Sequence, residues 1–377
     1  TMPHYSKLSY EKGKLYTKLK NFFQGLIEKN FVSAILIPAN QSTGIVKQTL
    51  IVDSSKLDRI DPFAPVIPVN TAKLISSLTA RPSGKNIAVV LRSCEARAAI
   101  ELAKLNQVNL DNILLIGMDC YGRFENTDFA KLQEQNLTTE SFLNSAQSGN
   151  VGINGFDVAE ACKICEYPVA ENVDIRLCVI GSEIRSFGVE GVSEKGQNIL
   201  TALEYSGGDS PGKRLEAVKT LTSQRAELLN QNLDAYHQTV NSIQGLEDHL
   251  SNCINCYNCR VACPVCYCKE CVYMTDTFRH EGQQFLGWAQ KEGVLKMPTD
   301  TAFYHLTRMS HIGAFCVGCG QCTSACPNDI KLTLAFRHAA KVSQERFEYL
   351  AGRSLDEQQP LTVFHDEELV EVTGQVK

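Results

Sequence analysis

Two copies of one cysteine motif near the C-terminal end constrain most strongly what this chain can fold into. Residues 253–264 have the pattern Cys-x2-Cys-x2-Cys-x3-Cys-Pro, and residues 316–327 repeat it. A 4Fe-4S cubane needs four thiolate ligands. In paired motifs of this kind the first three cysteines bind one cluster, and the fourth, before proline, binds the other. The repeat therefore predicts two cubanes that share their ligands crosswise.

We call the two predicted ligand groups the first and second C-terminal sets. The first C-terminal set contains Cys253, Cys256, Cys259 and Cys326. The second C-terminal set contains Cys316, Cys319, Cys322 and Cys263. Cys-x2-Cys pairs also build structural zinc sites, but zinc needs only four ligands and no trailing Cys-Pro. The complete motif therefore favours iron–sulfur clusters, which would lie close enough to exchange electrons.

The insert between the motifs, residues 264–315, is longer than in the compact bacterial ferredoxins that this part of the chain resembles. It contains three further cysteines, Cys266, Cys268 and Cys271. Two interpretations stay open for them: ligands of another cluster or redox-sensing thiols, and thiols that pack around an oxygen-sensitive site. The insert also carries His305 and His311 on a predicted helix over residues 301–315. Six residues apart, they do not share one helix face, and we expect packing or surface roles.

Composition narrows the class of protein. With 377 residues and 44% hydrophobic content, the chain can form about two to three globular domains. Its 37 basic and 42 acidic residues are interspersed, so no basic stripe predicts binding to nucleic acid. The polar start of the sequence and the lack of 18 consecutive apolar residues predict neither secretion nor a membrane span. We expect a cytoplasmic protein, in which 16 cysteines indicate metal binding rather than disulfides.

The first half of the sequence has an α/β pattern. Apolar runs at 33–37, 87–91, 113–116 and 175–180 predict strands, with helical stretches between some of them. Residues 87–116 form one strand–helix–strand unit, whose two strands should be parallel neighbours. We therefore predict a partly parallel sheet in this half and an α-rich C-terminal domain with a bacterial ferredoxin-like module of two 4Fe-4S clusters.

Glycine, proline and charge suggest where the predicted domains end. The N-terminal domain covers residues 1–205, and a segment rich in glycine at 205–213 begins a linker and helical segment over 206–250. Within it, residues 214–250 predict one long helix or a helical pair. The dicluster domain covers 251–355, and an acidic tail covers 356–377.

Cysteines also follow two predicted strands of the N-terminal half. Cys94 and Cys120 come after neighbouring parallel strands, and ligands bind at the carboxyl ends of such strands. Cys162 and Cys165 would complete four thiolates if their loop folded over the same edge, which suits a third 4Fe-4S cluster. Single cysteines at strand ends are also often buried small hydrophobes, so both interpretations stay open. We call these four residues the N-terminal set.

Several longer motifs carry a family resemblance. Residues 91–97 (Leu-Arg-Ser-Cys-Glu-Ala-Arg), 116–120 (Ile-Gly-Met-Asp-Cys) and 162–174 (Cys-Lys-Ile-Cys-Glu-Tyr-Pro-Val-Ala-Glu-Asn-Val-Asp) resemble the beta subunits of coenzyme F420-reducing hydrogenases and formate dehydrogenases. The formate dehydrogenase type is closer, since the resemblance extends through residues 61–70 (Asp-Pro-Phe-Ala-Pro-Val-Ile-Pro-Val-Asn) and 316–330. It covers most of the chain.

The resemblance, rather than spacing, implies a flavin. Proteins of this family bind FAD in the N-terminal domain beside a 4Fe-4S cluster, whose ligands match the N-terminal set. No Gly-x-Gly-x-x-Gly motif is present, so a Rossmann-type site is not predicted. Asn70, Ser93 and Arg97 fall in matching loops and are the candidate FAD contacts. Asn70 could equally cap a helix, and Arg97 could be a solvated charge.

Other residues near the predicted ligands have weaker assignments. Glu95 and Asp119 flank cysteines of the N-terminal set and could tune a reduction potential through their charge, but carboxylates in such positions are usually solvated. Cys178 lies within a predicted strand, which places it in the core. No residue is fit to oxidise formate, so we name no catalytic residue.

The resemblance implies an oxidoreductase subunit that passes electrons between a catalytic partner and a small-molecule carrier, through 4Fe-4S clusters and FAD. The expected partner is a molybdenum or tungsten formate dehydrogenase alpha subunit, on which formate oxidation would take place. The expected acceptor is coenzyme F420 or another carrier. The alternative is a non-catalytic iron–sulfur relay that docks a heterodisulfide reductase-like or hydrogenase complex.

Overall fold

A computed structural model describes residues 4–205, 208, 212–360 and 362–363. Seven strands lie in these residues, namely β1 (His4–Ser9), β2 (Ala34–Asn40), β3 (Val46–Ile51), β4 (Ile87–Arg92), β5 (Ile113–Met118), β6 (Ile175–Cys178) and β7 (Ser186–Gly191). The helices before residue 205 are α1 (Leu15–Glu28), α2 (Thr71–Thr79), α3 (Ser93–Lys104), α4 (Asn126–Glu134), α5 (Thr139–Gln147), α6 (Glu160–Lys163) and α7 (Glu194–Ala202). Those after it are α8 (Gly212–Thr239), α9 (Ile243–His249), α10 (Asn258–Ala262), α11 (Gly282–Glu292), α12 (Thr301–Ile312), α13 (Gln321–Ser324) and α14 (Leu332–Arg346).

All seven strands form one mixed sheet in the order β1-β7-β6-β5-β4-β2-β3. The central strands β2, β4, β5 and β6 are parallel, whereas β3, β7 and β1 pair antiparallel at the two sides. β4 and β5 pair in parallel and α3 crosses between them. The prediction of an α/β fold with a partly parallel sheet and a helical C-terminal region is confirmed.

The central strands are buried on both faces because helices cover the sheet on each side. Every residue of β4 is buried, and successive side chains of a strand point to opposite faces. Ala88 and Val90 pack with α1, α5 and α7, whereas Val89 and Leu91 pack with α2 and α3. This explains why β4 and β5 are continuous apolar runs rather than alternating ones.

The C-terminal helical region packs on the face of the sheet that carries α2 and α3. Tyr304 of α12, Phe315 and Phe336 of α14 are almost fully buried in the same core as Leu91. Each buried phenylalanine contributes roughly 1.5–3 kcal/mol. The predicted cluster region is therefore fixed against this face of the sheet.

The segment after residue 205 contains the predicted helical pair. α8 and α9 are separated by residues 240–242. The predicted linker residues 206, 207 and 209–211, and tail residues 361 and 364–377, lie outside the described residues. α12 ends at Ile312, three residues before the predicted end. In the described part of the chain, no helix has the length and apolar character needed to cross a membrane.

Candidate metal centres

The two C-terminal motifs have the same backbone geometry. In each, the residue before and the residue after the second cysteine have positive φ: Asn255 (50°) and Tyr257 (58°) in one, Gly318 (69°) and Gly320 (75°) in the other. A short helix then follows each, α10 and α13. Left-handed residues at matching positions turn both loops alike.

The fourth cysteine of each motif lies with the other motif. One cavity is lined by Cys253, Cys256, Cys259 and Cys326. A second cavity is lined by Cys263, Cys316, Cys319 and Cys322. The structure thus brings together both predicted C-terminal sets, including the crosswise exchange. Their role as cluster ligands stays a prediction.

The N-terminal set also comes together. Cys94 lies in the first turn of α3, which directly follows β4, and Cys120 follows β5. Cys162 lies on α6 and Cys165 lies just after it. Burial raises the pKa of Cys94 well above that of an ordinary thiol, and the nearby Cys120 and Cys165 raise it further. Cys162 and Cys165 in turn act on the pKa of Cys120, and Cys165 acts on that of Cys162, so the four thiols lie near one another.

Three arginines surround the N-terminal set, and sequence reasoning missed them. Burial raises the pKa of Cys120 to about 11, although the positive charges of Arg92 and Arg225 both lower it. Arg225 of α8 also donates to the carbonyl of Tyr121 at 2.6 Å. Burial raises the pKa of Cys162, which Arg123 partly offsets. Such cations favour thiolates, the form that binds metal.

The N-terminal set lies beside the second C-terminal set. Arg123 donates to Ser324 Oγ, and the thiol of Cys319 acts on the pKa of Cys94. A Cβ atom added to Gly320 would lie 2.3 Å from Ala161 Cβ, so only glycine allows this approach. Since Cys322 in turn feels the charge of Cys259, the three sets form a row with the second C-terminal set in the middle.

Side chains of α12 contact the first C-terminal set. Arg308 Nη1 lies 3.1 Å from Cys259 Sγ, and Tyr304 Oη lies 3.6 Å from the same sulfur. His305 Nε2 lies 3.4 Å from Cys253 Sγ. His305 is fully buried, and its pKa is lowered to about 3 by burial and by the charge of Arg308. His305 is therefore a packing residue, as expected, and it packs against the predicted ligand Cys253.

The three extra cysteines lie on one irregular loop, on which Cys266 is near Cys263 of the second C-terminal set. Burial raises the pKa of Cys266, and Cys268 and Cys271 contribute to the rise, so the three thiols are neighbours. Cys268 Sγ lies 3.7 Å from His311 Nδ1. Both interpretations of these cysteines stay open.

The candidate flavin contacts are buried. Asn70 Oδ1 accepts from the backbone N–H of Ala72, so Asn70 caps α2, while its Nδ2 has no partner in the described structure. Arg97 donates to the carbonyls of Ala351 and Val317 and stacks on Tyr167 at 3.8 Å. Ser93 and Arg97 line one small cavity. Their contact with a flavin stays a prediction.

The expectation that Glu95 and Asp119 are solvated is wrong. Glu95 accepts from the backbone N–H groups of Thr71 and Arg92 at 3.0 and 2.9 Å. Asp119 accepts from two backbone N–H groups and forms a bidentate ion pair with Arg214 of α8. Breaking such a buried pair costs about 3–5 kcal/mol, so Asp119 anchors α8 beside Cys120. Cys178 is fully buried in the core.

The donor chemistry of all three sets fits a 4Fe-4S cluster. Each set offers four thiols, and a cubane binds each ligand to a different iron at its corners rather than to one ion. Among the residues that the structure describes, no group of three or more His, Cys, Asp and Glu side chains is arranged to hold a single metal ion.

A large cleft of about 1120 Å³ opens between the N-terminal region and the cysteine motifs. Glu125, Lys163, Tyr236 of α8 and Cys326 are among the residues that line it. Lys163 forms ion pairs with Asp157 and Glu160. The cleft is as large as typical small-molecule sites, and the candidate flavin contacts do not line it.

No family model matches the chain. The chain is 27% identical over 356 residues to the F420-dependent formate dehydrogenase subunit beta of Methanocaldococcus jannaschii, covering 88% of this chain and 90% of the relative. It is 26% identical over 258 residues to the F420-dependent formate dehydrogenase 1 subunit beta of Methanococcus maripaludis, covering 60% and 62%. A chain of the solved F420-reducing NiFe hydrogenase complex from Methanosarcina barkeri superimposes with a TM-score of 0.45 and 13% identity, over 63% of this chain and 92% of that one. The two formate dehydrogenase relatives confirm the family resemblance.

Proposed function

From the confirmed similarity to F420-dependent formate dehydrogenase beta subunits, we propose that this chain is the electron-transfer subunit of an oxidoreductase complex. The observation that carries the proposal is the row of three cysteine sets, with Cys319 beside Cys94 at one contact and Cys322 near Cys259 at the other. A row of one-electron centres within one packed body is a path for electrons.

The residues proposed to hold the cofactors are the three sets of cysteines. The two C-terminal sets would hold the clusters of a ferredoxin-like module, and the N-terminal set a third 4Fe-4S cluster. FAD would bind near the N-terminal set, at Asn70, Ser93 and Arg97 or in the cleft that Lys163 lines. When bound, a flavin exchanges two electrons at once whereas each 4Fe-4S cluster passes one, so the chain would convert between the two regimes.

The proposed partner is a molybdenum- or tungsten-containing formate dehydrogenase alpha subunit, and the proposed acceptor is coenzyme F420. The two relatives are F420-dependent formate dehydrogenase beta subunits, which supports a formate dehydrogenase partner and coenzyme F420 as the acceptor. Cys256 of the first C-terminal set is exposed, so electrons from a partner can reach this end of the row.

A relay without flavin is the second candidate. The polar atoms of Arg97 that donate to Ala351 and Val317 are already engaged within the chain, and Asn70 serves as a helix cap. In this case the N-terminal region would dock a heterodisulfide reductase-like or hydrogenase complex and carry out no hydride transfer.

The test is reduction of coenzyme F420 by the anaerobically purified chain, with reduced methyl viologen as the one-electron donor. We expect F420 to lose its absorbance at a rate proportional to the flavin that acid releases from the protein. A Cys165→Ser variant should lower this rate at least tenfold, and a Cys178→Ala variant, changed in the core, should retain it. The relay would be supported instead if the chain passed electrons from reduced viologen to ferredoxin-type acceptors, did not reduce F420 and released no flavin.

A further inference from the structure

We propose that helix α12 raises the reduction potential of the first C-terminal set through the buried guanidinium group of Arg308. The inference rests on the proposed function, since it takes the set to hold a 4Fe-4S cluster. It assigns a purpose to the insert between the motifs, which supplies α12.

Arg308 is placed between the two C-terminal sets. Its Nη1 lies 3.1 Å from Cys259 Sγ, and its Nη2 donates to the Cys259 carbonyl at 3.2 Å. The same side chain lines the cavity of the second C-terminal set, beside Cys263 and Cys322. Among the sulfurs of the described residues, however, only Cys259 Sγ receives a direct N–H contact from Arg308, and Cys259 belongs to the first set.

In the part of the chain that the structure describes, the charge of Arg308 has no carboxylate partner. Arg308 is 4% exposed, and among the described residues no Asp or Glu oxygen lies within ion-pair distance of it. Its guanidinium group lies over the Phe336 ring at 4.5 Å and near the Tyr304 ring at 5.5 Å. Burying an unpaired charge is costly, so the negative charge of the ligated sulfurs is what balances it.

Two further groups of α12 contact the same set. Tyr304 Oη lies 3.6 Å from Cys259 Sγ, and His305 Nε2 lies 3.4 Å from Cys253 Sγ. In the second set, by comparison, the Thr333 hydroxyl approaches Cys322 Sγ at 3.8 Å. The two sets therefore share their cysteine pattern but differ in the donors around their sulfurs.

A positive charge and hydrogen bonds to sulfur favour the more negative, reduced form of a cluster, so they raise its potential. The step is the gain of one electron from the neighbouring set, and no bond or proton changes hands. Removing one charge-assisted hydrogen bond should shift this equilibrium about tenfold, which is about 59 mV for one electron. Electrons would then collect at the set that contains the exposed Cys256.

The experiment is a redox titration of the whole chain, purified without oxygen and followed by electron paramagnetic resonance. A Cys256→Ser variant identifies the signal of the first C-terminal set. Two neutral variants, Arg308→Gln and Arg308→Met, should lower the midpoint potential of that signal. The expected size is about a tenfold smaller equilibrium constant for reduction, or about 59 mV. Arg308→Lys keeps the charge and should shift it less. Arg279→Gln, at an exposed arginine of the same insert, should leave all midpoints unchanged.

The possible outcomes separate the two proposals. Unchanged midpoints in a neutral variant that retains its clusters would overturn this inference. So would loss of the cluster from both neutral variants but not from Arg308→Lys, because the charge would then hold the cluster rather than tune it. A wild-type protein without cluster signals would instead refute the proposed function.

Discussion

Replacing Gly320 by alanine should weaken the contact between the N-terminal set and the second C-terminal set. Gly320 has φ +75°, and a Cβ atom there would lie 2.3 Å from Ala161 Cβ. A left-handed conformation costs a non-glycine residue about 1–2 kcal/mol, and forcing a methyl group into packed surroundings adds about 1–3 kcal/mol. We therefore expect Gly320→Ala to lower the free energy of unfolding by about 2–5 kcal/mol.

Gly155→Ala is the matched control. Gly155 has φ +81°, but no heavy atom lies within 4 Å of an added Cβ, so only the conformational cost of about 1–2 kcal/mol applies. Urea unfolding of both variants and of the wild type under anaerobic conditions gives each free energy of unfolding from the midpoint and the slope of the transition. Equal losses in the two variants would refute the close approach of α6 and the second motif.

Three further predictions concern a buried carboxyl group, a shared ligand and a core thiol. Burial raises the pKa of Asp61 to about 6 from 3.8, so the folded state holds a proton that the unfolded chain releases, and stability falls as pH rises between about 4 and 6. Asp61→Asn should thus be more stable than wild type at about pH 8, by up to about 3 kcal/mol, and a urea midpoint that still falls with pH as in wild type would contradict this. If ligands are shared crosswise, Cys326→Ser and Cys253→Ser should lose the same cluster. The double variant should then contain no less iron than either single variant. A variant that combines Cys326→Ser with Cys316→Ser should contain less iron, because it loses both clusters. Cys178→Ala should retain the wild-type iron content, and a loss of about four irons would make Cys178 a cubane ligand.

Strands whose side chains are apolar on both faces could be predicted from the sequence, whereas β1, β3 and β7 could not. β4 and β5 are predicted because every position is buried between two layers of helices. β7 (Ser186–Gly191) is also fully buried, yet it contains two glycines and Glu190. Glu190 is tolerated inside because Arg176 pairs with it at 2.8 Å, a contact between strands that local sequence does not reveal.

The ligands could be predicted from the sequence, but the groups around them could not. Cysteine spacing predicts the C-terminal sets because one loop must bring three thiols to one cluster. The sulfur contact of Arg308 depends instead on how α12 packs across α10 and α14. Glu95 and Asp119 were expected to be solvated, but both are buried. Backbone N–H groups stabilise the two carboxylates, and Arg214 also pairs with Asp119. No spacing in the sequence encodes such tertiary contacts.

The central claim, a chain that links three clusters to a flavin, is tested most directly by the iron, sulfide and flavin content per chain after anaerobic purification. The account predicts about twelve irons, as three cubanes require, together with one FAD. About eight irons without flavin, as two cubanes require, would contradict the N-terminal centre and leave the relay. About sixteen irons would instead indicate a fourth cubane with Cys266, Cys268 and Cys271 among its ligands.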